Sequence, residues 1–268
     1  MAVIALHSAS SGLSALNTQL DVIANNLANI NTTGFRASRV NFQDLIYQER
    51  AQPGVENANG DTRPTGLYVG LGVRVSGTQI SDEQGALITT GNELDLAIEG
   101  SGFFRVQTED SIGGGVAYTR AGNFTLNRDG EIVLATDQGR RLDPSITIPP
   151  DAISISIDSA GMVSVLLPGE TELQELEQIQ IVTFVNPAGL KQVGENLFAE
   201  TDASGEPLEG EPGTDNRGLI RQGVLEASNV DPTRELIEMI KTQRAYEMNS
   251  QSIRAADESL RTIAQLRR

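Results

Sequence analysis

The residues able to do chemistry are few and scattered. His7 is the single histidine, and there is no cysteine. A nucleophile activated by an imidazole would have to use His7, yet no Gly-x-Ser-x-Gly elbow surrounds it. It reads as a surface or packing residue. One histidine and no thiolate also argue against a zinc site. Glu93, Asp95 and Glu99 alternate along one short stretch. Two carboxylates facing each other across a groove hydrolyse glycosides, but the same alternation marks the outer face of a half-exposed strand. Gly70-Leu71-Gly72 lacks a third glycine at the required spacing, and Gly113-Gly114-Gly115 opens no helix, so neither cradles a phosphate. Asn127-Arg128-Asp129-Gly130-Glu131 lacks the ligand series of a calcium loop and reads as a hairpin turn. No catalytic residue, cofactor or metal is expected.

The elements that could position such residues are more informative than the residues themselves. The chain has 268 residues, enough for one large or two ordinary domains. Tryptophan is absent and aromatics make up 4%, so stability must come from aliphatic packing and backbone pairing. The net charge of -16 argues against nucleic acid as a partner. Apolar runs are too short for a membrane span. Met1 to His7 lacks the cationic start of a secretory signal. Composition alone therefore points to a soluble cytoplasmic protein. The acidity is confined to the middle: residues 1–50 are net neutral, 51–227 carry -17, and 228–268 carry +1. Near-neutral ends can pack against copies of themselves with little repulsion, although any acidic soluble protein could show the same division.

Both ends are patterned as helices. Leu6, Ala9, Leu13, Leu16, Leu20, Ile23, Leu27 and Ile30 follow alternating steps of three and four, a heptad seam. Between them lie Ser, Asn, Gln and Thr with one charge, Asp21, a flank suited to neighbouring helices better than to water. Gly34 is the expected stop. At the other end, Asp231-Pro232 reads as N-cap and first-turn proline. Met239, Tyr246, Ile253 and Leu260 then recur every seven residues, with Thr242, Asn249, Ala256 and Ile263 as partners and Leu236, Ile240 and Met248 widening the apolar face. Such stripes need cover, each buried Leu or Ile contributing roughly 1.5–3 kcal/mol. The cover could be another copy of the chain, or a helical hairpin within one copy; at this point both readings stay open.

The middle changes texture. From about Gly66 to Ala227, short β-prone runs such as Val73–Val75, Leu94–Ile98, Phe103–Val106, Ile153–Ile157 and Ile179–Val185 are separated by turn signals at Asp129-Gly130, Ala160-Gly161, Pro168-Gly169 and Asn186-Pro187. Residues 52–65 and 202–218, rich in Gly and Pro, read as linkers or loops. The order is helix, β domain, helix.

Two motifs at opposite chain ends carry a resemblance. Ala24-Asn25-Asn26-Leu27-Ala28-Asn29-Ile30-Asn31-Thr32-Thr33-Gly34-Phe35 resembles the N-terminal signature of flagellar basal-body rod and hook axial proteins. Leu225-Glu226-Ala227-Ser228-Asn229-Val230-Asp231, with Gln243-Arg244-Ala245-Tyr246-Glu247, resembles that family's other end. Gln84–Asn92, Leu94–Phe104 and Tyr118–Phe124 extend the match, so it covers nearly the whole chain. Length and the stretch Phe42–Gln48 are most similar to the distal rod members. Residues 52–67 resemble a distal-rod segment thought to stiffen the filament.

The resemblance implies an α+β fold. Terminal helices would pair as a coiled-coil core, with an inserted, mainly antiparallel β domain outside. Residues 1–50 and 228–268 would form the core, 51–65 a linker and 66–227 the outer domain. It implies a non-enzymatic drive-shaft subunit exported through the flagellar type III apparatus, which explains a periplasmic protein without a cleavable signal. Partners would be identical subunits in a helical polymer, proximal rod and hook proteins, and the ring proteins of peptidoglycan and outer membrane. The assembly interface would use Leu6, Leu13, Leu16, Leu20, Ile23, Leu27, Ile30, Met239, Tyr246, Ile253, Leu260 and Ile263. Asn25, Asn26 and Asn29 would set register by hydrogen bonds between helices, and Phe35 would anchor the helix end in an apolar contact. A secreted β-rich binding module and a peptidoglycan hydrolase are the rival functions.

Overall fold

The computed structural model describes residues 2–54, 63–110, 113–169 and 172–266. The side chains of residues 2, 3, 263, 264 and 266 lie outside that description, and with them the expectation for Ile263. So does residues 55–62, the centre of the expected linker. The chain divides into two units. Unit 1 gathers Met1–Leu27, Ser38–Gln79 and Asp231–Arg268; unit 2 gathers Ala28–Ala37 and Ile80–Val230.

Unit 1 holds two helices in mutual contact, α1 (Ala2–Ala28) and α2 (Pro232–Leu266). Oδ1 of Asp231 accepts from the amides of Thr233 (2.9 Å) and Arg234 (3.3 Å), so the expected cap is in place. The other expected boundary differs: α1 ends at Ala28, well before Gly34. Gly34 has φ +69, and a Cβ there would lie 2.6 Å from the backbone of Arg120 and Ala121, so it is glycine because two strands of backbone touch.

Unit 1 also contains four strands, of which the sequence reading named only the run Val73–Val75. β1 (Ser38–Asp44) and β2 (Tyr47–Ala51) return as β3 (Leu67–Gly70) and β4 (Val73–Ile80), with β2 antiparallel to β3 and β1 beside β4. The ribbon is tied to α1 where the chain turns. The amide of Val73 donates to Ser11 Oγ (3.2 Å) and Ser8 Oγ donates to the Gly70 carbonyl (3.4 Å).

Unit 2 is built of short strands. In chain order they are β5 (Leu87–Thr89), β6 (Leu96–Glu99), β7 (Phe103–Gln107), β8 (Val116–Thr119), β9 (Phe124–Leu126) and β10 (Ile132–Leu134). Next come β11 (Ser154–Ile157), β12 (Met162–Leu166), β13 (Gln174–Gln178) and β14 (Ile181–Thr183). Last are β15 (Lys191–Gly194), β16 (Leu197–Ala199), β17 (Leu208–Gly210), β18 (Leu219–Gln222) and β19 (Val224–Glu226). The largest sheet runs β15-β16-β8-β7-β14-β17 and is antiparallel throughout. A three-stranded sheet, β11-β12-β13, and the pairs β6–β18, β5–β19 and β9–β10 complete the unit. The fold is α+β, with terminal helices flanking a mainly antiparallel region, as the resemblance implied.

Alternation along the strands builds two cores, one on each face of the large sheet. Phe104, Ala117, Ile181 and Leu197 enter the larger cluster with Leu96, Phe124, Ile132 and Ile220. Their chain neighbours Phe103, Tyr118, Val182 and Phe198 enter the smaller one with Phe184 and Leu190. There the rings meet edge to face, Tyr118 on Phe184 at 4.8 Å and Phe103 on Phe198 at 5.7 Å. The expected single strand Ile179–Val185 is split. Ile179 donates to the Gly161 carbonyl (2.8 Å) beside the three-stranded sheet, and only Ile181–Thr183 joins the six-stranded one.

Candidate assembly surfaces

The three carboxylates singled out for chemistry do not converge. Asp95 is buried in a turn, accepting from Thr90 Oγ1 (2.5 Å) and Asn92 Nδ2 (3.1 Å). Glu93 accepts from the amide of Ile155 (3.1 Å), and Glu99 pairs with Arg221 (2.5 Å). Each is committed to structure. The 127–131 segment is a turn, with Asn127 Oδ1 accepting from the amides of Asp129 and Glu131 at 2.9 Å each. His7 is exposed on α1.

On α1, Ala15, Ile23 and Asn26 are buried, while Leu6, Leu13, Leu16, Leu20 and Leu27 are half-buried. The exposed stripe of α1 contains His7, Ser10, Ser14, Asn17, Asp21, Ala24 and Ala28, small or polar residues spaced by three or four. A cavity of about 280 Å³ opens between α1 and the ribbon, lined by Gly12, Ala15, Leu16, Gln19, Phe42 and Val73.

On α2, the heptad positions Met239, Asn249, Ile253, Ala256 and Leu260 are half-buried and Thr242 is buried, whereas Tyr246 is exposed. Outside that seam, Leu236, Ile237, Ile240 and Met248 stand in solvent, Met248 at 63%. The ribbon adds Phe42, Ile46, Tyr47, Leu67 and Tyr68, with Ile46 at 78%. Ile237 and the five ribbon residues were not among those the sequence reading named for an interface. The ribbon alternates weakly because both of its faces meet water. Isolated exposed apolar residues are ordinary; two groups of this size within one unit make an exposed apolar surface of the kind that interaction sites use.

The asparagines separate. Asn26 is buried and bonded within its own chain, its Nδ2 donating to the Ser38 carbonyl (2.8 Å) and its Oδ1 accepting from the Ser38 amide (3.0 Å). That clamp closes the hairpin between α1 and β1 instead of reaching another helix, because the backbone of Ser38 offers a donor and an acceptor together. Asn25 is exposed. Asn29 accepts from Thr32 Oγ1 (3.2 Å) in the turn after α1. Ile30 and Phe35 are half-buried in unit 2.

Comparison with known proteins finds flagellar families along the chain. Residues 6–36 match the family described as flagella basal body rod protein, and residues 221–266 match the flagellar basal body rod FlgEFG protein C-terminal family. Residues 97–165 match the flagellar hook protein FlgE/F/G D1 domain. The flagellar basal-body rod protein FlgG of Agrobacterium fabrum is 46% identical over 95% of both chains. That of Caulobacter vibrioides is 44% identical over 98% of this chain and 99% of its own. The rod protein FlgF of the same bacterium is 36% identical over 87% of this chain and 84% of its own, so the FlgG likeness is both closer and longer. The chain belongs to the flagellar basal-body rod protein FlgG family, structural components of the flagellar rod rather than enzymes.

Proposed function

We propose that the chain is a distal-rod subunit that polymerises with copies of itself, and that unit 1 supplies the contacts. The proximal rod and hook proteins meet the ends of that polymer, the ring proteins of peptidoglycan and outer membrane surround it, and the flagellar export apparatus delivers the subunits. The half-buried seam residues Leu6, Leu13, Leu16, Leu20, Met239, Ile253 and Leu260 are finished by neighbouring helices. The observation that carries this reading is the set of large apolar residues that unit 1 leaves uncovered, Leu236, Ile237, Ile240 and Met248 on α2 and Ile46, Tyr47, Leu67 and Tyr68 on the ribbon. Burying each one contributes roughly 1.5–3 kcal/mol. Many modest contacts acting together suit a shaft under torsion, because no single one has to bear the load.

The test is Ile237→Asp combined with Ile240→Asp in cells lacking the native chain. Rod incorporation and motility are lost, while the amides of unit 2 in the purified protein keep their exchange rates. Normal incorporation of this variant would defeat the proposal.

A further inference from the structure

Inside unit 2, three separated stretches of chain meet at one carboxylate. Glu226, which ends β19, is 1% exposed, and Arg36 and Arg120 are each 2% exposed. Arg36 Nη2 lies 3.1 Å from Glu226 Oε1, and Arg120 Nη1 lies 3.3 Å from Oε2. The amide of Gly85 also donates to Oε1 (3.0 Å), and the amide of Gly34 donates to the Glu226 carbonyl (2.8 Å).

The arginines have further partners of unequal worth. Arg120 donates to the carbonyls of Ile98 (3.1 Å) and Gly100 (2.6 Å) and sits 5.4 Å from the Phe103 ring centre. Arg36 donates to the Glu83 carbonyl. Nε of both is buried with no hydrogen-bond partner among the described residues. Asn229 stitches the same stretches with neutral bonds, accepting from the Ala37 amide (2.7 Å) and donating to the Glu83 carbonyl (2.9 Å).

The charges decide which member matters most. Two cations share one anion, with exposed Asp82 attracting Arg120 from the nearby loop. Burial lowers the pKa of Arg120 to about 10, Glu226 opposes that fall and Arg36 adds to it. Neutralising Glu226 leaves two guanidinium groups buried side by side, the costliest arrangement available here. Neutralising Arg36 leaves a balanced pair.

We infer that Glu226 is a charge lock: segment 28–37 and loop 81–85 close onto β19 only when its carboxylate offsets the buried guanidinium charge of Arg36 and Arg120. The lock works through charge, not shape. Completion of unit 2 is thus conditional on residues from before β1 and from its own last strand arriving at one point. This inference rests on unit 2 alone and is independent of how the chain assembles.

The experiment measures amide exchange in the full-length chain. In Glu226→Gln, an isosteric change, the amides of Gly34 and Gly85 exchange about 100-fold faster, while Val165 in β12 stays protected. Adding Arg36→Met to that variant removes one of the two unpaired cations and slows both amides by about tenfold, and Arg36→Met alone stays within about threefold of the native rate. Native rates in Glu226→Gln, or a double variant as open as the single one, would overturn the inference. If Glu226→Gln does not fold, recovery of folding in the double variant supports the lock, and continued failure overturns it.

Discussion

A methyl group at Gly12 of α1 would lie 2.5 Å from Nδ2 of Asn249 on α2, so the two helices approach closely where a residue without a side chain faces a polar one. The obstacle is the end of a flexible side chain and not backbone, which makes the effect of substitution graded. Gly12→Ala gains about 1 kcal/mol of helix propensity and loses a comparable amount by displacing the amide. Helical ellipticity during denaturation therefore shifts little. Gly12→Leu parts the helices and lowers the transition clearly. In an Asn249→Ala background, Gly12→Ala becomes stabilising by about 1 kcal/mol.

Gly34 obeys a stricter rule. Its φ of +69 and the 2.6 Å approach to the backbone of Arg120 and Ala121 leave no yielding atom. Gly34→Ala destabilises unit 2 by about 3 kcal/mol. Exchange of the Arg120 and Ala121 amides should rise with the loss of the global transition; a native profile would contradict the packing described.

Tyr118 gives a signal in alkali. Burial, then the charge of Glu200, pushes its phenol up to about 12, with Arg105 opposing. The unfolded chain releases this proton near the ordinary value of about 10, so it binds fewer protons than the folded chain between those values. Stability therefore falls as pH rises from about 10 to about 12. Tyrosinate absorbance has its last step there, and Tyr118→Phe removes that step and flattens the fall.

Asp231 holds the first turn of α2 through the amides of Thr233 and Arg234. Asp231→Ala costs about 1 kcal/mol and speeds exchange at those two amides before any others in the helix. Asp231→Ser retains most of the protection.

Local chemistry made some of this structure legible from residue order. The Asp231-Pro232 cap, the three-four spacing of the leucines, and paired neighbours such as Phe103-Phe104 each act within a few residues, so their pattern survives in the linear text. The ribbon did not, because Arg39, Asn41, Gln43 and Gln48 alternate with apolar residues that are also wet, and no face is dry enough to write a period of two. The switch of sheets between Ile179 and Ile181 was hidden inside an unbroken apolar run. Asn26 was legible as a buried asparagine but not as the clamp on Ser38, since the partner is backbone and carries no identity. Glu226 looked like an ordinary charge because Arg36 and Arg120 come from distant parts of the chain.

The ribbon has a practical consequence. Two-stranded sheets have no interior strand, so β1 to β4 present unsatisfied backbone along their margins beside Ile46, Tyr47 and Tyr68. Before they are incorporated, free molecules at high concentration can zip together there in the wrong register. Arg39, Asp44, Glu49 and Arg74, distributed along the same strands, act as gatekeepers against that adhesion. Replacing them with alanine would yield a protein that precipitates during purification although the backbone hydrogen bonds of its fold are intact.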